Sequence, residues 1–301
     1  MLRPDPVWKA DGLLLLTAII WGTAFVAQRV GMEYVGPFTF NGIRFALGSL
    51  VLLPLIMSGK TDNGINRSGK GPAGRGVIIG GGLLIGSFLF AGASLQQVGI
   101  VYTTAGNAGF ITGLYVVIVP IMGLLFRQRT TAGSWIGAVL AAFGLYLLSV
   151  TARFTMGYGD LLVLLGAFFW AGHVLIIGWL SPLFNSFRLA FFQYVACAVL
   201  SLFVAFFYET PSLDGIARAA IPILYGGILS VGIAYTLQVV AQKRARPTHA
   251  AILLSMESVF AAVAGWMILD EMMSLRQLTG CALMLSGMLL SQLWVKMPDR
   301  T

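Results

Sequence analysis

The sequence predicts an all-α integral membrane protein with ten transmembrane helices, arranged as two inverted five-helix repeats with both termini in the cytoplasm. Three observations predict this class: an apolar composition, ten long apolar stretches and a biased distribution of basic residues. Of the 301 residues, 58% are hydrophobic and 10% are charged, whereas a soluble domain carries about 25% charged residues. This composition disfavours a cytosolic enzyme, a DNA-binding module and a disordered chain.

The apolar stretches are each about as long as the roughly 20 residues that cross a hydrocarbon core about 30 Å thick. Helices are expected because lipid offers no partner to unpaired backbone groups, and these runs do not alternate as barrel strands do. The longest polar stretch, Ser58–Arg75, is expected to be a flexible connector. The predicted spans cover residues 10–30, 38–57, 76–96, 102–125, 131–151, 159–180, 187–208, 216–240, 247–269 and 274–295.

The basic residues predict the orientation, because cytoplasmic loops carry an excess of Lys and Arg. With the N-terminus in the cytoplasm, fourteen of the 19 Lys and Arg residues lie on the cytoplasmic side, and Arg44 lies within a span. The bias predicts cytoplasmic termini, and it explains the net charge of +8 without nucleic acid as a partner. The four basic residues on the opposite side are Arg29, Arg153, Arg218 and Arg276.

Similar residues recur in the same order in the two halves of the chain, at similar offsets, which indicates an internal repeat. Asp11 and Trp21 in the first span recur 149 positions later as Asp160 and Trp170. Because each half has five spans, an odd number, the second half must enter the membrane from the opposite face. Such inverted repeats are found in many secondary transporters. The predicted halves are residues 1–151 and 152–301.

Several motifs stand in this two-half layout, among them Trp21-Gly22, Arg44, Asn107–Tyr115 and Glu257. With these motifs the chain resembles the EamA family of the drug/metabolite transporter superfamily. Two positions depart from the family pattern. Ser258 stands where the family usually has Pro, and Arg127–Arg129 stand where the first half usually ends its fourth span with an acidic residue. Any functional role of an acidic residue at this end of the span would therefore come from the second half of the chain alone. The motifs that carry the resemblance are Trp21-Gly22, Arg44, Asn107–Tyr115, Glu257, Asp270-Glu271 and the Gly-x6-Gly pairs Gly137/Gly144 and Gly280/Gly287.

The resemblance implies a multi-pass transporter of the plasma membrane, or of the inner membrane in a Gram-negative bacterium. It implies a central substrate cavity lined by helices 1–4 and 6–9. Helices 5 and 10 are then peripheral supports or the contacts of a homodimer. The family moves amino acids, other metabolites and drugs, so the resemblance implies a small-molecule substrate without fixing which one.

Two ionisable residues inside the spans are the first candidates for substrate binding or coupling, because a charge within the membrane is costly and marks function. Glu257 lies near the midplane, where it could exchange a proton, pair with a cationic substrate group or serve as a structural acid. Arg44 could bind a substrate carboxylate, snorkel outward or pair with Glu33. If Arg44 and Glu257 both face the cavity, they would complement a zwitterion such as an amino acid.

The fourth and ninth spans form the symmetry-related pair that is richest in polar groups. Asn107 and His249 fall at matching repeat positions in these spans, and so do Tyr115 and Glu257. We therefore expect the binding site between these two spans.

Three further residues are candidates from the first and sixth spans. His173 could relay protons or be a neutral, hydrogen-bonded histidine. Trp21 and Trp170 occupy equivalent places in the two halves. They could line a pocket for a flat or apolar substrate, or they could be packing and interfacial residues.

No motif indicates a cofactor, a metal or an enzyme. Gly64–Lys70 matches the first seven positions of a phosphate loop, but Gly71 replaces the hydroxyl that binds magnesium. There is no Cys or His pattern for a metal and no nucleophile elbow. We expect a secondary active transporter that works by alternating access, exports small metabolites such as amino acids and exchanges protons. The alternatives are an uncoupled facilitator, a multidrug or cation exporter of the same fold, a non-transporting scaffold and an intramembrane enzyme.

Overall fold

The computed structural model describes residues 7–58, 75–125, 130–149, 157–269 and 274–295. These residues are almost entirely helical and include no strand, so the predicted all-α class is confirmed for them. Most of the expected connector Ser58–Arg75, together with Arg127–Arg129, Arg153 and Asp270-Glu271, lies outside the described residues.

In the first half of the chain, two helices follow each other with only Leu114 between them, and together they occupy the predicted fourth span. Thr104 caps the first of the two, because its hydroxyl accepts a hydrogen bond from the Asn107 backbone N–H at 3.1 Å. The described helices of this half are α1 (Val7–Gly31), α2 (Pro37–Met57), α3 (Arg75–Tyr102), α4 (Ala105–Gly113), α5 (Tyr115–Leu125) and α6 (Ala132–Ser149).

The second half contains the matching break, at Ser255-Met256, and one feature without a counterpart. A π-helical segment, Tyr225–Tyr235, occupies the middle of the predicted eighth span. Such segments often mark functional sites. The described helices here are α7 (Tyr158–Leu180), α8 (Ser186–Tyr208), α9 (Leu213–Arg218), α10 (Ala220–Leu224), α11 (Thr236–Ala241), α12 (Pro247–Leu254), α13 (Glu257–Leu269) and α14 (Leu275–Val295).

Within the described ranges, eight helical stretches are long and apolar enough to cross a membrane. A ninth, Ala132–Leu147, is apolar but shorter. These stretches agree with a multi-pass membrane protein, while the number of ten spans and their orientation stay predictions. Large apolar side chains such as Phe203 and Phe206 on α8 point outward, as expected for a surface in contact with lipid.

The helices of the two halves pack against each other and do not form two separate bundles. Helix α2 packs on α8, α3 packs on α7 and α8, and α1 packs on α13 and on the π-helical segment. Helices α6 and α14 meet through glycines: a Cβ atom on Gly287 would lie 2.6 Å from the carbonyl oxygen of Gly137. One face of each of these two helices is thus used within the chain, and a homodimer through their other faces stays a prediction.

Candidate functional site

The two helix breaks bring matching residues of the repeat together at the centre of the bundle. Tyr115 is the first residue of α5 and Glu257 is the first residue of α13. The Tyr115 hydroxyl donates a hydrogen bond to Glu257 Oε1 at 3.1 Å, and both side chains are buried. The acid at the predicted midplane is therefore held by its symmetry mate from the other half.

A pocket lies beside this pair, between helices of both halves. Six of the eight residues that the sequence singled out line it. Helix α1 supplies Trp21, α2 supplies Arg44 and α7 supplies Trp170 and His173. The predicted residues that line the pocket are Glu257, Arg44, Tyr115, Trp21, Trp170 and His173.

Arg44 is 2% exposed, so its guanidinium lies inside the bundle and not at its surface. Its Cζ atom is 5.5 Å from the ring centre of Phe40 and 5.0 Å from that of Phe45. In the described part of the chain, no carboxylate pairs with it, Glu33 included, and its Nε has no hydrogen-bond partner. A buried cation without a counter-ion is costly, and an anion bound beside it would compensate this charge.

The aromatic wall of the pocket is centred on Tyr235, the last residue of the π-helical segment. Its ring centre is 4.5 Å from that of Trp21 and 6.0 Å from that of Trp170, and the Trp170 ring lies nearly parallel to it at 21°. Trp21 Nε1 also donates to the Ser230 carbonyl oxygen at 3.3 Å. This hydrogen bond therefore holds the π-helical segment against α1 at the pocket.

Several polar atoms that face the pocket have no partner among the described protein groups. They include Trp170 Nε1, Gln28 Oε1 and both amide atoms of Gln238. His173 is partly satisfied, because its Nε2 lies 3.0 Å from Gln193 Oε1 while Nδ1 has no partner. Unpaired buried polar atoms of this kind are expected where a polar ligand or water binds.

Tyr235 and Gln238 line the pocket but are not among the site residues that were predicted from the sequence. Gln238 could have been found from the repeat, because Leu95-Gln96 recurs as Leu237-Gln238, and both Gln96 and Gln238 line the pocket. Tyr235 carried no such signal, since its position depends on the helical register of the π-helical segment.

Asn107 and His249 do not line the pocket. Asn107 lies in the first turn of α4, where its backbone N–H meets the Thr104 cap. His249 is buried, with Nε2 2.9 Å from Asp11 Oδ1 and Nδ1 3.1 Å from Ser291 Oγ. Their roles in substrate binding stay predictions, and their positions separate them from the other six candidates.

Comparison with known proteins agrees with this architecture. The model of the EamA-like transporter family matches residues 8–150 and again residues 157–293. An uncharacterized transporter of Archaeoglobus fulgidus is 32% identical, over 95% of this chain and 86% of its own length. A probable amino-acid metabolite efflux pump of Escherichia coli K12 is 24% identical, over 93% of this chain and 94% of its own. A solved structure titled "Crystal structure of protein" superposes with a TM-score of 0.76 at 18% identity, covering 95% of this chain and 97% of that one.

Proposed function

The chain belongs to the EamA-like transporter family, and from this premise we propose that it is a secondary transporter that exports a zwitterionic metabolite, such as an amino acid, in exchange for protons. It works by alternating access in the plasma membrane, with both termini in the cytoplasm. The related efflux pump of E. coli, named for amino-acid metabolites, supports this substrate class.

The observation that carries the proposal is the buried guanidinium of Arg44, which has no carboxylate partner among the described residues and lies in the same pocket as Glu257. A planar guanidinium binds a carboxylate through two parallel hydrogen bonds. The Glu257 carboxylate, when ionised, pairs with an ammonium group. A substrate that carries both groups therefore compensates both charges of the protein, whereas a substrate with one charge leaves the other uncompensated.

Glu257 also provides a route to coupling. Its carboxylate can hold a proton or accept the substrate ammonium, and the two compete for the same oxygens. The Tyr115 hydroxyl donates to Oε1, so Oε2 is the oxygen left for this exchange. A carrier that crosses with a proton in one direction and with substrate in the other is a proton antiporter.

The aromatic rings of Trp21, Trp170 and Tyr235 support one alternative, an exporter of organic cations. A ring face attracts a cation within about 6 Å of its centre. Arg44 opposes this alternative, because it places a second positive charge in the same pocket.

Purified protein in liposomes tests the proposal with labelled amino acids, amines and nucleosides, each with and without a pH gradient. We expect flux of an amino acid. This flux should increase when protons move down their gradient in the direction opposite to the amino acid. Flux of amines without amino acids would replace the proposal with the cation exporter. No flux of any compound would reject transport of these classes, and flux indifferent to the gradient would leave a facilitator.

A further inference from the structure

A second polar cluster lies outside the pocket, where the N-terminal part of α1 meets α12 and α14. It consists of Asp11, His249 and Ser291, which we call the α1–α12 cluster. Asp11 Oδ1 is 2.9 Å from His249 Nε2, and His249 Nδ1 is 3.1 Å from Ser291 Oγ. All three side chains are buried, and none lines the pocket. The cluster joins the first half of the chain to the second.

The hydrogen-bond pattern lets the cluster take up one proton without rearranging. Because the ionised Asp11 carboxylate only accepts, His249 Nε2 carries the hydrogen of that bond. In the neutral imidazole, Nδ1 accepts from the Ser291 hydroxyl. In the imidazolium, Nδ1 donates to Ser291 Oγ, and the contact with Asp11 becomes an ion pair between two full charges. In a buried site such a pair attracts more strongly than it does in water.

We propose that the α1–α12 cluster is a second proton-binding site, and that a proton bound there keeps this end of the bundle closed. The inference rests on the proposed function only in that alternating access requires this end to open. By the proposed orientation this is the cytoplasmic end. Opening it separates α1 from α12 and breaks the Asp11–His249 contact. A proton bound by the cluster adds an ion pair that only the closed end can form, so acid favours the closed end.

The same acid recurs at the opposite end of the molecule, where its hydrogen-bond partners among the described residues do not titrate. Asp160, the repeat mate of Asp11, accepts from the Thr103 hydroxyl at 2.5 Å through Oδ1 and from the Gly157 backbone N–H at 3.0 Å through Oδ2. The repeat position that matches His249 is Asn107, which has no charged form. Among the described residues these two matching ends differ in one histidine, which makes the contact at the α12 end the one that a bound proton can strengthen.

The other charged groups around His249 are basic or distant. Helix α12 packs on α1, α5, α6, α7 and α14. In their described residues, α5 and α6 carry no charged or histidine side chain, whereas Asp160 and His173 of α7 and Arg276 of α14 lie further along those helices. Arg127 and Arg129 lie outside the described residues. The basic residues at this end are Lys9, Lys243, Arg244 and Arg246.

These basic residues oppose a further positive charge at this end. Burial and the neighbouring Arg244 lower the pKa of Lys243, which lies in the loop before α12. Asp11 is therefore the group that stabilises a protonated His249, and its removal should weaken the closed state at any pH.

Distances between two spin labels test the closed state directly, in lipid nanodiscs and without substrate. The labels sit on Trp8→Cys at the start of α1 and Arg246→Cys before α12, two exposed positions, with Cys197 and Cys281 replaced by Ala. We expect a single short distance near about pH 5.5 and a longer population, increased about threefold or more, near about pH 8. His249→Asn should give the same distribution at both pH values. Asp11→Asn should show the longer population at both.

Thr103→Val is the matched control, since it removes the corresponding contact at the other end and should leave the pH response intact. If His249→Asn does not fold, judged by gel filtration, His249→Gln takes its place. A parent protein without a pH response, or a His249 variant that keeps it, would overturn the proposal. The distance measurement uses no substrate, so its outcome does not depend on the proposed function. The liposome flux measurement tests the proposed function separately.

Discussion

Arg44 illustrates how one residue limits what the pocket can bind. Its guanidinium carbon lies 5.5 Å from the ring centre of Phe40 and 5.0 Å from that of Phe45, and its charge finds no carboxylate in the described structure. The ammonium group of a lysine would bind a carboxylate less well than the planar guanidinium does, because it does not offer two parallel donors in a fixed geometry. The shape of the guanidinium, and not only its charge, should therefore decide substrate affinity.

The Arg44→Lys variant tests this distinction. A charge-assisted hydrogen bond is worth about 1.5–3 kcal/mol, so loss of the second bond should weaken substrate binding about tenfold or more. Competition flux with unlabelled amino acid measures the change. Arg29→Lys is the control, because Arg29 donates to the Ile100 carbonyl oxygen outside the pocket. Equal losses in both variants would speak against a carboxylate site at Arg44.

Glu257→Gln keeps the size of the side chain and removes its ability to exchange a proton. We expect export driven by a pH gradient to vanish while exchange of substrate for substrate persists at a reduced rate. Tyr115→Phe removes only the hydrogen bond to Oε1, so its coupling should persist with a changed pH dependence. Both are measured as flux with and without a gradient. An unchanged gradient response in Glu257→Gln would remove Glu257 from the coupling mechanism.

At the residue scale, repeat symmetry finds residues in equivalent places, while the roles proposed for them stay predictions. Tyr115 and Glu257 share a repeat position near the midplane, and they meet. Asn107 and His249 share a repeat position too, but each precedes its pocket residue by eight positions, about 12 Å of helix. Symmetry predicts that two residues occupy equivalent places, but it does not say how far those places lie from the pocket.

At the scale of the helix, Ser258 explains one departure from the family pattern. Its hydroxyl donates to the Gly109 carbonyl oxygen at 3.0 Å, which ties α13 to α4 near the two helix breaks. Proline could not make this bond. The hydroxyl thus adds a contact between the two halves beside the Tyr115–Glu257 pair.

The glycines between α6 and α14 should be sensitive to the smallest added side chain. A Cβ atom on Gly287 would lie 2.6 Å from the Gly137 carbonyl oxygen and 3.1 Å from the Ala141 backbone nitrogen, whereas one on Gly80 would meet nothing within 4 Å. Gly287→Ala should cost about 1–3 kcal/mol through overpacking, seen as a Tm in detergent lowered by a few degrees. Gly80→Ala should leave the Tm unchanged or raise it slightly. A Gly287 variant as stable as the parent would show that α6 and α14 can separate at little cost.

The spans predicted from the sequence match the described helices to within a few residues, except that α3 runs on to Tyr102, past the predicted end at residue 96. The agreement is close elsewhere because apolar length is a strong signal. The sequence did not predict the breaks at Leu114 and Ser255-Met256 or the π-helical segment Tyr225–Tyr235. Apolar length does not report the hydrogen-bond register of the backbone, on which these features depend. The breaks are nevertheless what bring Tyr115 and Glu257 to the pocket.

At the scale of the whole molecule, the orientation is open to a direct test. The bias in Lys and Arg predicts a cytoplasmic N-terminus. A protease-cleavable tag placed before Met1 should resist protease added to intact cells and be cut once the membrane is opened. The control is the same tag in the loop between α8 and α9, on the opposite side of the predicted topology, which should be cut in intact cells. The reverse pattern would invert the proposed orientation and place the α1–α12 cluster at the outer end.

The interlocked packing of the two halves has a consequence for how such a chain could arise. Each half contributes to one pocket, and the contacts α2–α8, α3–α7 and α6–α14 all cross between halves. Either half alone would expose those surfaces, and its part of the pocket, to lipid. An ancestor of half this length would therefore have needed a second copy inserted upside down, and fusion of the duplicated genes would have fixed one copy in each orientation. Only after fusion could the two ends of the pathway diverge, as they have at Asn107 and His249.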